Sequence, residues 1–355
     1  MKAAILTTIG APLTIGEVEL LEPGYGQVLV KVLVSGICGA QLQEIDGLKG
    51  DPKHLPHLLG HEGCGLVEDI GPGVTSVKLG DKVVMHWRKG DGIESELPVY
   101  HYNDREMTSG RVTTFSEQAI VSENRVTAVP QDTPEELCAL FGCGLSTALG
   151  TIESEAEVKF GERVLIVGCG GLGMNLILAA KLAQASVIAV TDIHESKRAT
   201  AFEIGATHFW KSEVGMRNAE CPDVRRAART DLAPGFDVII DTSGNADALE
   251  CTLPLLAPSG RYVMIGQPNP GQSVKLENAQ HFFQGEGKSL RATQGGRFSP
   301  ARDIPRYVAL YQAKLLHFSE IVSHRISLDG INEGINSVRN GQAGRIMIYP
   351  EGHWK

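Results

Sequence analysis

At residues 168–173 the chain reads Gly-Cys-Gly-Gly-Leu-Gly, directly after the apolar run Val164–Val167 and at the start of a stretch with helical periodicity. Few other features restrict a fold so strongly. Gly168 permits a tight strand-to-helix turn, Gly170 lets the backbone approach a bound group, and Gly173 allows the helix to pack closely on its strand. The helix start presents free amides and the positive end of its dipole, which favours a phosphate. With Gly168, Gly170, Gly171, Leu172 and Gly173 as the loop, the pattern points to a dinucleotide. A structural turn that binds nothing is the other reading. Asp192 ends the next predicted strand, 24 residues after Gly168. A carboxylate there accepts hydrogen bonds from ribose hydroxyls and repels a 2′-phosphate, so NAD is the expected cofactor. Capping the following helix is its alternative role.

Around this loop, strand-like and helix-like runs alternate: Arg163–Val167, a helix over Gly173–Ala185, then Ser186–Thr191, Phe236–Asp241 and Arg261–Ile265. Such alternation predicts an α/β fold with a doubly wound parallel sheet, assigned to residues 145–293. A chain of 355 residues exceeds the size at which one core usually stops growing, so a second domain is expected. Residues 1–144 supply it with short strands at Gln27–Val34, Gly65–Ile70, Asp81–His86 and Glu117–Val121, and residues 294–355 return to it. That return carries a predicted helix over Ser299–Lys314 and a closing strand over Gly344–Tyr349. Residues 87–115 turn polar and predict a loop-like surface lobe.

The formal charge is -9 and no basic stripe follows a surface, which argues against a nucleic-acid partner. No run reaches the roughly 18 apolar residues of a membrane span. Met1–Gly16 reads as a first strand, not a cleaved leader. A soluble, cytoplasmic protein is expected. The seven cysteines lack the spacing of a disulfide scaffold, so reduced thiols are expected.

Two of those cysteines stand in glycine-rich settings: Cys38 in Gly36-Ile37-Cys38-Gly39-Ala40 and Cys143 in Phe141-Gly142-Cys143-Gly144. His61 stands in Gly60-His61-Glu62. Two thiols and an imidazole suit Zn²⁺ and leave a fourth tetrahedral position for water or substrate. Distance along the chain does not bring them together. Their motifs, however, keep company with Gly80-Asp81-Lys82-Val83-Val84, Gly142-Cys143-Gly144-Leu145-Ser146-Thr147, Ile331-Asn332-Glu333-Gly334 and Gly344-Arg345. In that order the chain resembles, over nearly its whole length, the zinc-containing alcohol dehydrogenases of the medium-chain dehydrogenase/reductase superfamily.

The resemblance implies a GroES-like β-rich catalytic domain joined to a Rossmann domain, with the active site in the cleft between them. It implies one catalytic zinc on Cys38, His61 and Cys143, the ligand set known for alcohol dehydrogenases, with Glu62 nearby or as a transient fourth ligand. It places Thr147 against the nicotinamide, Lys197 near the adenosine ribose, Arg345 near the pyrophosphate and Trp87 on the substrate pocket wall. Ordinary packing for Trp87 and a solvated helix position for Lys197 stay open. The implied partner is a small alcohol or carbonyl compound, such as a polyol or sugar derivative, and the implied assembly is a dimer or tetramer of identical chains.

Two departures bear on function. Many relatives carry four closely spaced cysteines binding a structural zinc, but none lies here between Cys64 and Cys138, so no structural zinc is expected. The lobe instead mixes Trp87, Arg88, Lys89, His101, Arg105 and Arg111 with Asp91, Glu94, Glu96, Asp104 and Glu106, which predicts a solvated surface. Ala40 and Gln41 follow Gly39 where relatives often have a hydroxyl residue and then Asp. Ala40 cannot relay a proton, and Gln41 can meet His61 only without a charge. Three other functions compete: a zinc-free reductase of the same superfamily, an epimerase or lyase using transient oxidation, and a non-catalytic cofactor-binding protein. A three-ligand set with an open fourth position argues against the first and last.

Overall fold

The strand Gln27–Ile37 shows how alternation becomes a core: Val28, Val30, Val32 and Val34 all turn inward. It runs three residues beyond the expected Val34, through Ser35 and Gly36, because Gly36 lets the backbone pass Glu62. A Cβ at Gly36 would meet the Glu62 carboxylate at 2.4 Å. The extension delivers Cys38 to the strand's end. In this computed structural model, which describes residues 1–49, 54–212, 235–276, 279–284 and 286–352, the strand is the centre of a seven-stranded sheet. The sheet runs Val126–Val129, Lys82–His86, Glu62–Ile70, Gln27–Ile37, Arg345–Tyr349 and Val322–Ser327, with Gln118–Ser122 also pairing to Gln27–Ile37.

A second sheet corrects the expected lobe. Residues 87–115 are not loop throughout: Tyr100–Tyr102 and Arg105–Ser109 form a hairpin between the edge strand Glu19–Leu20 and His57–Leu58. Asn103 and Asp104 turn it with φ of 51° and 59°, the left-handed pair that two-residue hairpins favour. Tyr100 and Met107 are buried, and the Tyr100 hydroxyl accepts the Ile120 N–H at 2.9 Å. The pattern hides because the outward positions carry charge while only two side chains anchor the core.

The third sheet is parallel, in the order His208–Lys211, Val187–Asp192, Arg163–Val167, Phe236–Asp241, Leu256–Met264, Ser289–Ala292. Numbered along the chain this is 3-2-1-4-5-6, the order of dinucleotide-binding sheets. Its central strands are continuous apolar runs, as expected for a sheet covered on both faces. Contacts divide the chain into one unit of Met1–Ser146, Ser299–Lys314 and Val322–Lys355, and another of Thr147–Phe298 with Leu315–Ile321. The return to the first unit thus begins at Ser299, at the helix Pro300–Gln312, and is interrupted at 315–321. Cys38, Cys64, Cys138, Cys143 and Cys169 are free thiols, whereas Cys251 is disulfide-bonded, against the expectation of reduced thiols throughout.

Candidate metal centre

Three interruptions of regular backbone carry the candidate ligands. Cys38 occupies the cap position before the helix Gly39–Ile45. His61 follows Gly60, whose φ of +98° and lack of room for a Cβ, 2.6 Å from the Thr114 backbone nitrogen, make glycine the residue that fits. Cys143 breaks the path between the helices Glu135–Gly142 and Gly144–Gly150, at φ -151° and ψ -77°. Gly142 packs so tightly on Met85 and Glu62 that the break is held against the strand that starts directly after His61.

The two sulfurs and one imidazole nitrogen lie within 4.8 Å of one another. Tetrahedral zinc bonds of about 2.0–2.3 Å place such donors roughly 3.5–3.8 Å apart, inside that bound. His61 Nε2 is buried and has no hydrogen-bond partner among the described residues, while Nδ1 meets the side-chain amide of Gln41. The donor set therefore fits a zinc ion, with Nε2 as the imidazole ligand atom.

Behind the ligands lies a buried ion pair. Arg345, 2% exposed, places its guanidinium 3.0 and 3.1 Å from the two Glu62 carboxylate oxygens and donates to the Ile37 carbonyl at 3.0 Å. Burial alone would lower the Arg345 guanidinium, but Glu62 and the two cysteines hold it above its ordinary value. Glu62 also accepts the Gly144 N–H at 3.2 Å, tying it to the turn after Cys143. Between the thiols, Cys143 donates toward Cys38. That bond, helped by His61 and Arg345, holds Cys38 well below the usual thiol range despite burial, and pushes Cys143 up.

Ser35 and Thr114, which sequence reasoning did not single out, both donate to the Glu62 carbonyl at 3.1 Å. Ser35 is marked in the sequence only as a hydroxyl inside an otherwise apolar run, and Thr114, among Thr113, Ser116 and Glu117, is not marked at all. Trp87 follows the strand Lys82–His86, one residue beyond the Glu62–His86 pair. Its indole Nε1 is buried without a hydrogen-bond partner among the described residues. Arg345, expected near a pyrophosphate, is engaged with Glu62.

In the second unit, Gly168 has φ +93°, a Cβ on Gly173 would lie 2.0 Å from the Gly168 carbonyl oxygen, and a Cβ on Gly170 would meet nothing within 4 Å. The three glycines thus turn the chain, seat the helix Gly171–Leu182 and leave a cradle at its start. Asp192 accepts the Cys169 N–H at 2.6 Å and the His194 N–H at 2.7 Å. It clamps the glycine loop and does not cap the next turn, whose cap position is His194. Lys197 is buried, contrary to a solvated position, and burial lowers its ammonium while Asp192 opposes that shift. Thr147 Oγ1 is buried without a hydrogen-bond partner among the described residues.

Comparison with known proteins agrees with this geometry. Residues 24–131 match the family model of the alcohol dehydrogenase GroES-like domain, and residues 171–313 match that of the zinc-binding dehydrogenases. The chain is 30% identical over 374 residues to alcohol dehydrogenase 6 of Peromyscus maniculatus, covering 98% of this chain and 97% of that one. It is 28% identical over 389 residues to S-(hydroxymethyl)glutathione dehydrogenase of Paracoccus denitrificans, covering 98% and 99%. An alcohol dehydrogenase zinc-binding domain protein from Burkholderia ambifaria superposes with a TM-score of 0.88 at 26% identity, covering 98% of each chain.

Proposed function

We propose that this chain, which belongs to the zinc-containing alcohol dehydrogenase family of the medium-chain dehydrogenase/reductase superfamily, oxidises a hydroxylated alcohol with NAD through one zinc held by Cys38, His61 and Cys143. Membership makes it a zinc-dependent oxidoreductase that uses NAD(P) and a small alcohol substrate. The observation that carries the reading is the convergence of two thiols with a buried His61 Nε2 that has no hydrogen-bond partner among the described residues.

Held by Cys38, His61 and Cys143, zinc would supply Lewis acidity toward the alcohol oxygen, and NAD at the glycine loop would supply a hydride acceptor. The chain's own residues do the rest. Cys38 and Cys143 bring two thiolate charges, His61 brings a neutral lone pair, and the Glu62–Arg345 pair fixes the turn after Cys143 without adding net charge. Ala40 offers no hydroxyl, so the alcohol proton leaves through solvent or a neighbouring hydroxyl of the substrate. The Trp87 indole N–H, buried and unpartnered, is suited to an acceptor on the substrate. Both features favour a polyol or sugar derivative over a simple alcohol.

NAD preference rests on Asp192, whose charge opposes a 2′-phosphate. The nearby cation Arg198 is occupied: it pairs with Glu195 and donates to the Phe209 carbonyl at 3.0 Å. The sheet edge Ser289–Ala292, with Leu290 and Phe283 exposed beside it, supports a homo-oligomer; a monomer in light scattering at micromolar protein would reject that assembly. The functional test is a kinetic screen of simple alcohols and polyols with each cofactor. We expect higher kcat/KM with NAD and with polyols, and a shift toward NADP in Asp192→Ala. Equal efficiency with both cofactors, or no shift in the variant, rejects the NAD assignment.

A further inference from the structure

Gln41 stands where one side chain faces both a backbone donor and a ring nitrogen. It is 1% exposed. Its Oε1 accepts the Cys38 N–H at 3.2 Å, and its Nε2 faces His61 Nδ1. When His61 carries its proton on Nε2, the arrangement is matched: the amide N–H donates to the bare Nδ1, and the carbonyl oxygen accepts from Cys38.

A metal ion on Nε2 reverses this. The ion takes the Nε2 lone pair, so the single imidazole proton sits on Nδ1, which becomes a donor. The Cys38 N–H is a donor in either case. A carboxylate at this position would accept both, whereas an amide has one accepting oxygen and an NH₂ that only donates. Held as in the structure, the NH₂ meets the Nδ1 proton. Turned over, the oxygen meets Nδ1 and the NH₂ meets the Cys38 N–H. Either orientation sets a donor against a donor, and at 1% exposure solvent does not relieve the clash.

We propose that Gln41 is a positioning residue that loosens the metal: it matches His61 without the ion and mismatches it with the ion. The chain therefore holds zinc less tightly, and releases it faster, than the same site would with a carboxylate. The inference rests on zinc occupying Cys38, His61 and Cys143. Groups that orient a ligand histidine typically change metal affinity about 10- to 100-fold, so the isosteric Gln41→Glu change should tighten zinc binding by about tenfold or more.

The test uses purified, zinc-loaded enzyme challenged with a chromophoric chelator, following the rate and extent of zinc transfer, with far-ultraviolet circular dichroism to verify folding. Gln41→Glu is expected to hold zinc longest, Gln41→Leu, which neither stabilises the metal-free His61 nor opposes the metal-bound one, next, and the wild type least. A folded Gln41→Glu protein that loses zinc as fast as the wild type or faster overturns the inference. So does a folded Gln41→Leu protein that loses zinc faster than the wild type, since the amide would then be holding the metal and not loosening it. A Cys143→Ala variant with undiminished zinc would instead overturn the site assignment itself, which separates the two failures.

Discussion

At the candidate metal centre a ring nitrogen has no hydrogen-bond partner among the described residues while buried charge surrounds it; in the lobe of residues 87–115, carboxylates meet the backbone donors that would otherwise strand the loop. Glu123, in the buried turn facing that lobe, accepts the Thr75, Ser76 and Ile93 N–H groups at 2.7, 2.8 and 2.8 Å. Glu94 gathers Lys89, Arg125 and Arg111 at 3.0, 2.9 and 3.2 Å, and Arg125 also donates to the Trp87 carbonyl. No cysteine takes part. A region that needs only shape is held by matched donors and acceptors, whereas a region that needs a Lewis acid keeps soft donors uncommitted.

Changes to the two regions should therefore separate. Glu62→Gln removes the partner of a buried guanidinium, and breaking a buried pair costs about 3–5 kcal/mol. We expect that loss in denaturant unfolding, with lower zinc retention; a change under about 1 kcal/mol would mean that Arg345 finds other acceptors. Glu123→Gln should cost less, about 1–3 kcal/mol, because one buried acceptor arrangement is weakened. Zinc content and kcat should stay as in the wild type, and a loss of zinc here would erase the contrast between the regions. Burial opposes ionisation of Glu123, but the backbone N–H groups outweigh it and hold the carboxyl below its usual range. Its stabilising contribution is thus complete above the ordinary carboxylate pKa and fades as pH falls through the lowered one. The wild type should lose more stability than Glu123→Gln over that acidic window. Lys89→Ala should matter least, under about 1 kcal/mol, since the ammonium is exposed and screened. A larger effect would make the lobe depend on its surface ion pairs.

How much of this was legible depended on where the information lay. The glycine spacing at 168–173 and the runs Arg163–Val167 and Phe236–Asp241 are local, so the parallel sheet could be read directly. Cys38, His61 and Cys143 are scattered, and only the order of surrounding motifs suggested that they meet. The strand end at Ser35 and Gly36 was missed because glycine and serine break the alternation where the backbone must pass Glu62. The Tyr100–Ser109 hairpin was hidden by charged outward residues. The pairing of Arg345 with Glu62 was missed because a sequence shows an arginine's charge but not its buried carboxylate partner. The clamp from Asp192 to the Cys169 N–H was likewise invisible, since it joins two loops through a single side chain.

The central claim is that one ion sits on Cys38, His61 and Cys143 and that the lobe holds none. Elemental analysis of the purified enzyme beside Cys143→Ala tests it most directly. The account predicts about one zinc per wild-type chain and close to none in the variant, whereas two tightly held ions per chain, or full retention in Cys143→Ala, would contradict it.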